Sequence, residues 1–315
     1  LDLNLEVMTG FNTNIDDLHR MRVELDSKLE LRDPVTSMKD LHASLSYCAR
    51  KGENHEVSYR DLDLPEENPY IGGQAGIVAN YLAKTGNSAV MYTPLLSEKL
   101  AEHMEEQVLY PVESDTGFVL KSVRDSANSD RTKENHIFEF NSERTGRLIL
   151  SDNLKGYGPF LPSYIEENLE MLEQSLDCFF LSGFHDADGN TVAKLRKAGK
   201  QLEKIDLPVH IEYVHDPATS EQVVKNVIEK ADSLGLDGTE LVELCGLIGI
   251  DTADKPNFGE AFSAAKKLIQ ELGIKRIHLH TYSYHLLIER DSRISGESLV
   301  KSMLFGELSA IASAE

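Results

Sequence analysis

The sequence predicts an α/β protein in which a large domain, its mainly parallel sheet covered by helices on both faces, is joined to a small α+β unit. Three observations carry this. From residue 160 onward, short buried apolar runs alternate with helical spacings, the rhythm of a parallel sheet wrapped in helices. Over 109–150 the texture changes to alternating runs, GFVLKSV, HIFEFN and GRLILS, separated by polar turns, as antiparallel strands require. Gly72-Gly73-Gln74-Ala75-Gly76 stands directly before a helical apolar spacing (Ile77, Val78, Tyr81, Leu82), so the backbone bends tightly where a helix begins. The expected division places 1–16, 70–108 and 151–315 in the large domain, and 17–69 with 109–150 in a discontinuous small lid.

In chain order, 5–11 reads as a short strand ending at Gly10 and Phe11, and it runs into Asn12-Thr13-Asn14-Ile15-Asp16-Asp17. In an open α/β sheet, ligands gather beyond the carboxyl ends of strands, where this polar cluster falls. Asn14 and Asp16 alternate around Ile15, so in extended backbone both point the same way and suit vicinal hydroxyls. The alternative is an Asx-turn capping the next helix. Residues 16–52 are expected to be mostly helical, with Leu41, Leu45 and Cys48 on one face, and 52–59 strand-like. Pro65 and Pro69 bracket a connector to the glycine stretch, whose exposed N–H groups would face a polar or anionic group. Residues 89–94 form a buried strand, followed by the amphipathic SEKLAEHMEEQV. Helices are expected at 162–175, 190–204, 220–230 and 258–272. The strands paired with them are DCFFLSG, VHIEY, ADSLG and RIHLH.

The chain has 315 residues and a net charge of −21, which argues against nucleic-acid binding because phosphate backbones would be repelled. No apolar run is long enough for a bilayer and the start has no leader pattern, pointing to a soluble, cytoplasmic protein, a monomer or small homo-oligomer. Cys48, Cys178 and Cys245 lack any disulfide or zinc spacing. An anionic substrate would need gathered Arg and Lys, or a metal, to enter so acidic a protein.

Two acidic groups offer that metal. Glu212, in His210-Ile211-Glu212, closes one strand, and Glu240, in Asp237-Gly238-Thr239-Glu240, follows another. Carboxylates with water suit Mg²⁺. Glu240 has a second reading, as the N3 residue of a capping box begun by Asp237. Arg144 and Arg147 flank a strand entrance, either as planar forks for phosphate oxygens or as a solvated hairpin corner. His278 and His280 alternate with no acid at metal-ligand spacing. The segment His280-Thr281-Tyr282-Ser283-Tyr284 could receive a purine or simply be a satisfied loop.

The segments GFNTNID, GGQAGIVAN, VMYTPLLS, RTGRLI, LSGF, HIEY, DSLGLDGTEL and RIHLHTYSYHLLI, in this order, resemble the ADP-dependent sugar kinases, glucokinase and phosphofructokinase, of the ribokinase-like superfamily. The resemblance implies a Mg²⁺-dependent enzyme that transfers the β-phosphoryl of ADP to a hydroxyl of fructose 6-phosphate or glucose, with the sugar between a ribokinase-like domain and a lid. Asn14, Asp16, Gly72, Gly73 and Gln74 resemble the family's sugar-binding residues, and Glu56 its glucose-favouring lid glutamate. Glu212 and Glu240 are similar to the magnesium-assisting acids, with Asp237 where the family has Asn. Arg144 and Arg147 resemble the phosphate-contacting pair, and Ile277, His280 and Thr281 part of the adenine site. The family's catalytic Gly-x-Gly-Asp turn is not found in 1–315; Gly246 to Asp251 has the wrong spacing, and the turn is expected beyond Glu315. An ATP-dependent ribokinase-like kinase and a non-catalytic sugar or nucleotide binder are the rival expectations.

Overall fold

The computed structural model describes residues 4–21, 30–141, 145–152, 157–187, 189–281, 283–290 and 295–304. Among them, the strands in chain order are β1 (Glu6–Phe11), β2 (Asn14–Met21), β3 (His55–Ser58), β4 (Pro69–Gly72), β5 (Ser88–Tyr92), β6 (Leu109–Ser114), β7 (Gly117–Ser122), β8 (Glu134–Asn141), β9 (Thr145–Ser151), β10 (Cys178–Ser182), β11 (Val209–Glu212), β12 (Ser233–Asp237), β13 (Arg276–His280) and β14 (His285–Glu289).

They form a nine-stranded sheet, ordered β14-β13-β12-β11-β10-β1-β5-β6-β7, and a five-stranded sheet, ordered β3-β9-β8-β2-β4. In the large sheet every neighbour from β13 to β6 is parallel, and β14 and β7 close the edges as antiparallel hairpin strands. Met8, Phe179, Ile211, Leu234, Leu236, Ile277 and Leu279 are buried almost completely, while β11 and β13 alternate, turning half-buried His210, Glu212, His278 and His280 to their other face. Helix Phe258–Leu272 shows how the covering layer forms. Ala261, Ala264, Ala265, Leu268, Ile269 and Leu272 make one apolar stripe, an Asn257–Glu260 capping box starts the helix, and left-handed Gly273 ends it.

The small sheet has its own core. Helix Met38–Lys51, N-capped by Ser37, lays Leu41, Leu45 and Cys48 against Phe138, Phe140, Leu148 and Leu150. β1 passes into β2 through Asn12 and Thr13 alone, so the strand at the centre of one sheet continues directly into the other.

Three expectations change. Residues 14–21 are strand, and the helix begins only at Met38. The period-2 signal of β2 is hidden because its inner face carries Asp17 and His19, both buried, where a strand usually carries apolar residues. The hairpin β6–β7, expected in the lid, extends the large sheet beside β5, and only β8 and β9 of 109–150 join the small one. The helix expected over 162–175 is two short helices, Ser163–Glu166 and Leu169–Glu173.

Candidate active site

Because the central strands are parallel, their carboxyl ends share one edge of the sheet, where Phe11, Ser182, Glu212, Asp237 and His280 lie. Neighbouring strands are about 4.8 Å apart, so the turn after β1 and the acid of β11 are separated by roughly 10 Å.

The 12–16 and 72–74 turns meet at this edge. β2 pairs with β4 so that Asn14 faces Gly72 and Asp16 faces Tyr70, and Asn12 Nδ2 donates to Gln74 Oε1 at 2.9 Å. Asp16 Oδ1 accepts from Asn14 Nδ2 at 2.6 Å and from Asn135 Nδ2 at 3.0 Å. A Cβ on Gly72 would run into the Asp16 carboxyl group and Asn14 Nδ2, and Gly73 adopts φ +72° against the Asn12 carbonyl. Glycine is therefore needed here to admit the polar pair. Burial lifts the Asp16 carboxyl above the usual carboxylate range, and the two amide donors only partly offset this.

The register carries this polarity across the small sheet. Tyr70, Asp16, Asn135, Ser151 and Ser58 stand opposite one another on successive strands, and Ser151 Oγ donates to Asn135 Oδ1 at 2.8 Å. Glu56 lies on the same face of β3, two residues before Ser58. It lines a cavity of about 740 Å³ with Ser58, Ser151, Lys133, Asp186 and His215, the last three from outside the small sheet's strands. Asn14, Asp16 and Gly72 are not in that wall; the row through Asn135 and Ser151 links them to it. Lys133 Nζ holds Asp186 Oδ2 at 2.7 Å, both largely buried. Burial alone would raise the Asp186 carboxyl, but His185 and Lys133 outweigh it and hold it below its ordinary value.

At the other end of the edge, Glu212 Oε1 is bonded to His280 Nε2 at 2.6 Å, and its Oε2 lies 3.3 Å from His210 Nε2. His210 Nδ1 in turn reaches Ser233 Oγ at 2.9 Å. Burial opposes ionisation of Glu212, yet the two imidazoles win and hold its carboxyl down at about 2. The same bond raises His280. A Cβ on Gly235 would occupy the position of Glu212 Oε2, so this glycine is what lets the carboxylate lie across β12. Glu240 does form the capping box: its Oε2 accepts from Asp237 N at 2.7 Å, and Asp237 Oδ1 accepts from Thr239 N and Glu240 N. Burial, with Asp237 and Glu212 nearby, pushes the Glu240 carboxyl up to about 8. Glu212 and Glu240, near enough for the first to raise the second, offer carboxylate oxygens of the kind a hard divalent cation takes when water fills most of its shell.

The remaining candidates divide. His280 and Thr281 line a cavity of about 880 Å³ with Asp237, Gly238, His278 and Tyr284. Thr281 Oγ1 is already engaged in its loop, donating to the Tyr284 carbonyl and accepting from Tyr284 N. Ile277 is wholly buried in the core, so its side chain has no surface to offer a base. Arg147 stands apart from both cavities, ion-paired to Glu139 at 2.5 Å, and Arg144 lies outside the described residues. Sequence reasoning missed Asn135, Ser151, His210 and Gly235. The roles of Asn135, Ser151 and Gly235 depend on cross-strand register, which no local pattern encodes, whereas the alternation of His210 with Glu212 on one strand was a local signal for the bond between them.

The fold is that of the ribokinase-like sugar kinases: a fructokinase from Xylella fastidiosa, 13% identical, superposes with a TM-score of 0.52 over 92% of this chain and 76% of its own. Within that class the match narrows. The chain belongs to the ADP-specific phosphofructokinase/glucokinase family, an ADP-dependent sugar-kinase family, whose conserved-region model matches residues 5–315. The ADP-specific phosphofructokinase of Pyrococcus abyssi is 27% identical over 370 aligned residues, covering 99% of this chain and 81% of the relative. A solved ADP-dependent kinase in complex with fructose 6-phosphate and ADPβS is 25% identical with a TM-score of 0.82, over 95% of this chain and 72% of its own.

Proposed function

We propose that this chain transfers the β-phosphoryl group of Mg-ADP to a hydroxyl of fructose 6-phosphate or glucose, releasing AMP, as a step of glycolysis. The observation that carries this is the junction of Asn14, Asp16 and Gly72 on the same sheet edge as Glu212 and Glu240. Among the described residues both donors to Asp16 reach Oδ1, which leaves Oδ2 to accept from a sugar hydroxyl, while the row Asn135, Ser151 and Ser58 supplies further donors and acceptors. The bond formed joins the hydroxyl oxygen to the β-phosphorus; the bond broken joins that phosphorus to the oxygen bridging to the α-phosphate.

Phosphoryl transfer asks for alignment and charge neutralisation more than covalent chemistry. Glu212 and Glu240 would hold Mg²⁺, mostly through water, and the ion when bound would neutralise the diphosphate oxygens. His210 and His280 keep Glu212 ionised and aimed for that task. The adenine is assigned to the cavity of His280, Thr281 and Tyr284, whose ring gives an aromatic face. Closing the small sheet over the sugar excludes water. The hydroxyl's proton is released together with AMP. Arg147 would reach a phosphate only after leaving Glu139.

Initial rates with Mg-ADP or Mg-ATP, and either acceptor, test the proposal. AMP formation from ADP with at least one of the two sugars is the expected result, and a tenfold preference for ATP would overturn it.

A further inference from the structure

β2 has a second face that the proposed chemistry does not use. Turned away from Asn14 and Asp16, Asp17 and His19 point inward, and β8 places His136 directly opposite Asp17. The three are 2%, 4% and 5% exposed, so three groups that prefer water are enclosed at the border of an apolar core. Their donor atoms converge. His19 Nε2 is 3.1 Å from Asp17 Oδ2 and 3.1 Å from His136 Nδ1, and His136 Nδ1 is 3.5 Å from Asp17 Oδ2.

Those separations have a chemical meaning. Ligands about 2.0–2.1 Å from a tetrahedral ion lie roughly 3.3 Å from one another, which is the size of this triangle. The atoms pointing outward from it are held as metal-site ligands are held. His19 Nδ1 faces Glu67 Oε1 at 3.5 Å, Asp17 Oδ1 accepts from Asn68 N at 2.7 Å, and Glu67 N is shared between Asp17 Oδ1 at 3.0 Å and Oδ2 at 3.1 Å. The His19 ring stacks on Phe138 with centroids 4.6 Å apart, and Tyr59 meets the His136 ring edge-on, so neither imidazole can turn freely.

We propose that Asp17, His19 and His136 form a zinc-type site in the small sheet, separate from the acids at Glu212 and Glu240. Two imidazoles and one carboxylate suit a borderline transition-metal ion such as Zn²⁺ rather than Mg²⁺, and water completes four-coordination. The ion ties β2, β8 and the 67–68 loop together behind the row that presents Asp16 and Asn135. Its task is to pin the polar end of this pairing, where Asp17, His19 and His136 interrupt an inner face that Phe138 and Phe140 make apolar further along.

The test uses the full chain, stripped with chelator and titrated with Co²⁺ as a visible stand-in for Zn²⁺. One equivalent should produce the d–d absorption of four-coordinate Co²⁺, which Zn²⁺ then abolishes. His19→Gln and His136→Gln should each weaken Co²⁺ binding at least about tenfold. His278→Gln, at the large-sheet edge, should leave it unchanged. Zn²⁺ should raise the unfolding temperature of the wild-type chain and not of the two variants. Should either variant fail to fold, zinc-edge X-ray absorption on the wild-type chain decides, with two imidazoles and one carboxylate expected around the ion. Absence of the four-coordinate spectrum, its survival in both His19→Gln and His136→Gln, or its loss in His278→Gln overturns the proposal in favour of a hydrogen-bonded Asp–His–His network.

Discussion

On the small sheet, Asp16 accepts from both Asn14 and Asn135, and a glycine is left bare beside the pair so that they fit. At the ends of β11–β13, by contrast, three of the candidates have a job the fold needs in any case: Glu240 caps a helix, Thr281 closes a turn and Ile277 fills the core. The first region therefore spends polar groups on presentation. The second obtains its polarity from groups already doing structural service, and only Glu212, gripped by two histidines, is arranged beyond what folding demands. Residue types alone are thus better evidence of ligand binding on the small sheet than at the strand ends.

The largest expected effect would break this contrast most directly. Asp16→Ala should lower kcat/KM for the sugar roughly 10- to 100-fold, the value of a charge-assisted hydrogen bond, while calorimetric ADP affinity stays put. A parallel loss of ADP affinity would mean the two regions are not separable. Gly235→Ala comes next, since its new Cβ must displace Glu212: about 1–3 kcal/mol of stability in denaturant unfolding, together with weaker ADP binding. Unchanged ADP affinity would remove Glu212 from the nucleotide site.

A pH series sharpens the comparison further. Glu240 has its folded value raised from 4.5 to about 8, so its contribution to stability is fully present below about 4.5 and fades as pH rises through 8. In chelator, unfolding free energy should decline across that window by up to ~1.4 kcal/mol per pH unit, and Glu240→Gln should flatten the decline. Glu212 runs the other way, its contribution present above about 4.5 and lost as pH falls toward 2. Smallest is Glu56→Ala, expected to depress glucose turnover a few-fold more than fructose 6-phosphate turnover, in line with one lost hydrogen bond. Equal losses would take Glu56 out of acceptor choice.

Much of this could be seen in the chain beforehand, for identifiable reasons. Strand–helix alternation after residue 160 is written in apolar spacing, and Asn14 with Asp16 alternates as an extended segment must. What stayed hidden depends on partners distant in sequence. β2 passes for helix because its inner face is Asp17 and His19, and the hairpin 109–122 carries no mark of which sheet it joins. Asn135 earns its place only through being opposite Asp16, and Gly235 only through lying beneath Glu212. Such facts belong to register, not to local pattern.

The two-residue passage from β1 into β2 lies beside the single glycine that returns the chain from β4 to helix Gln74–Lys84. If the proposed closure turns about this paired seam, Asn14 and Gly72 would sit near the axle and barely travel. Glu56, on the outermost strand from it, would then sweep the widest arc. On the proposed closure, grip and discrimination would be separated in time, a sugar being held first at the pivot and inspected last at the rim.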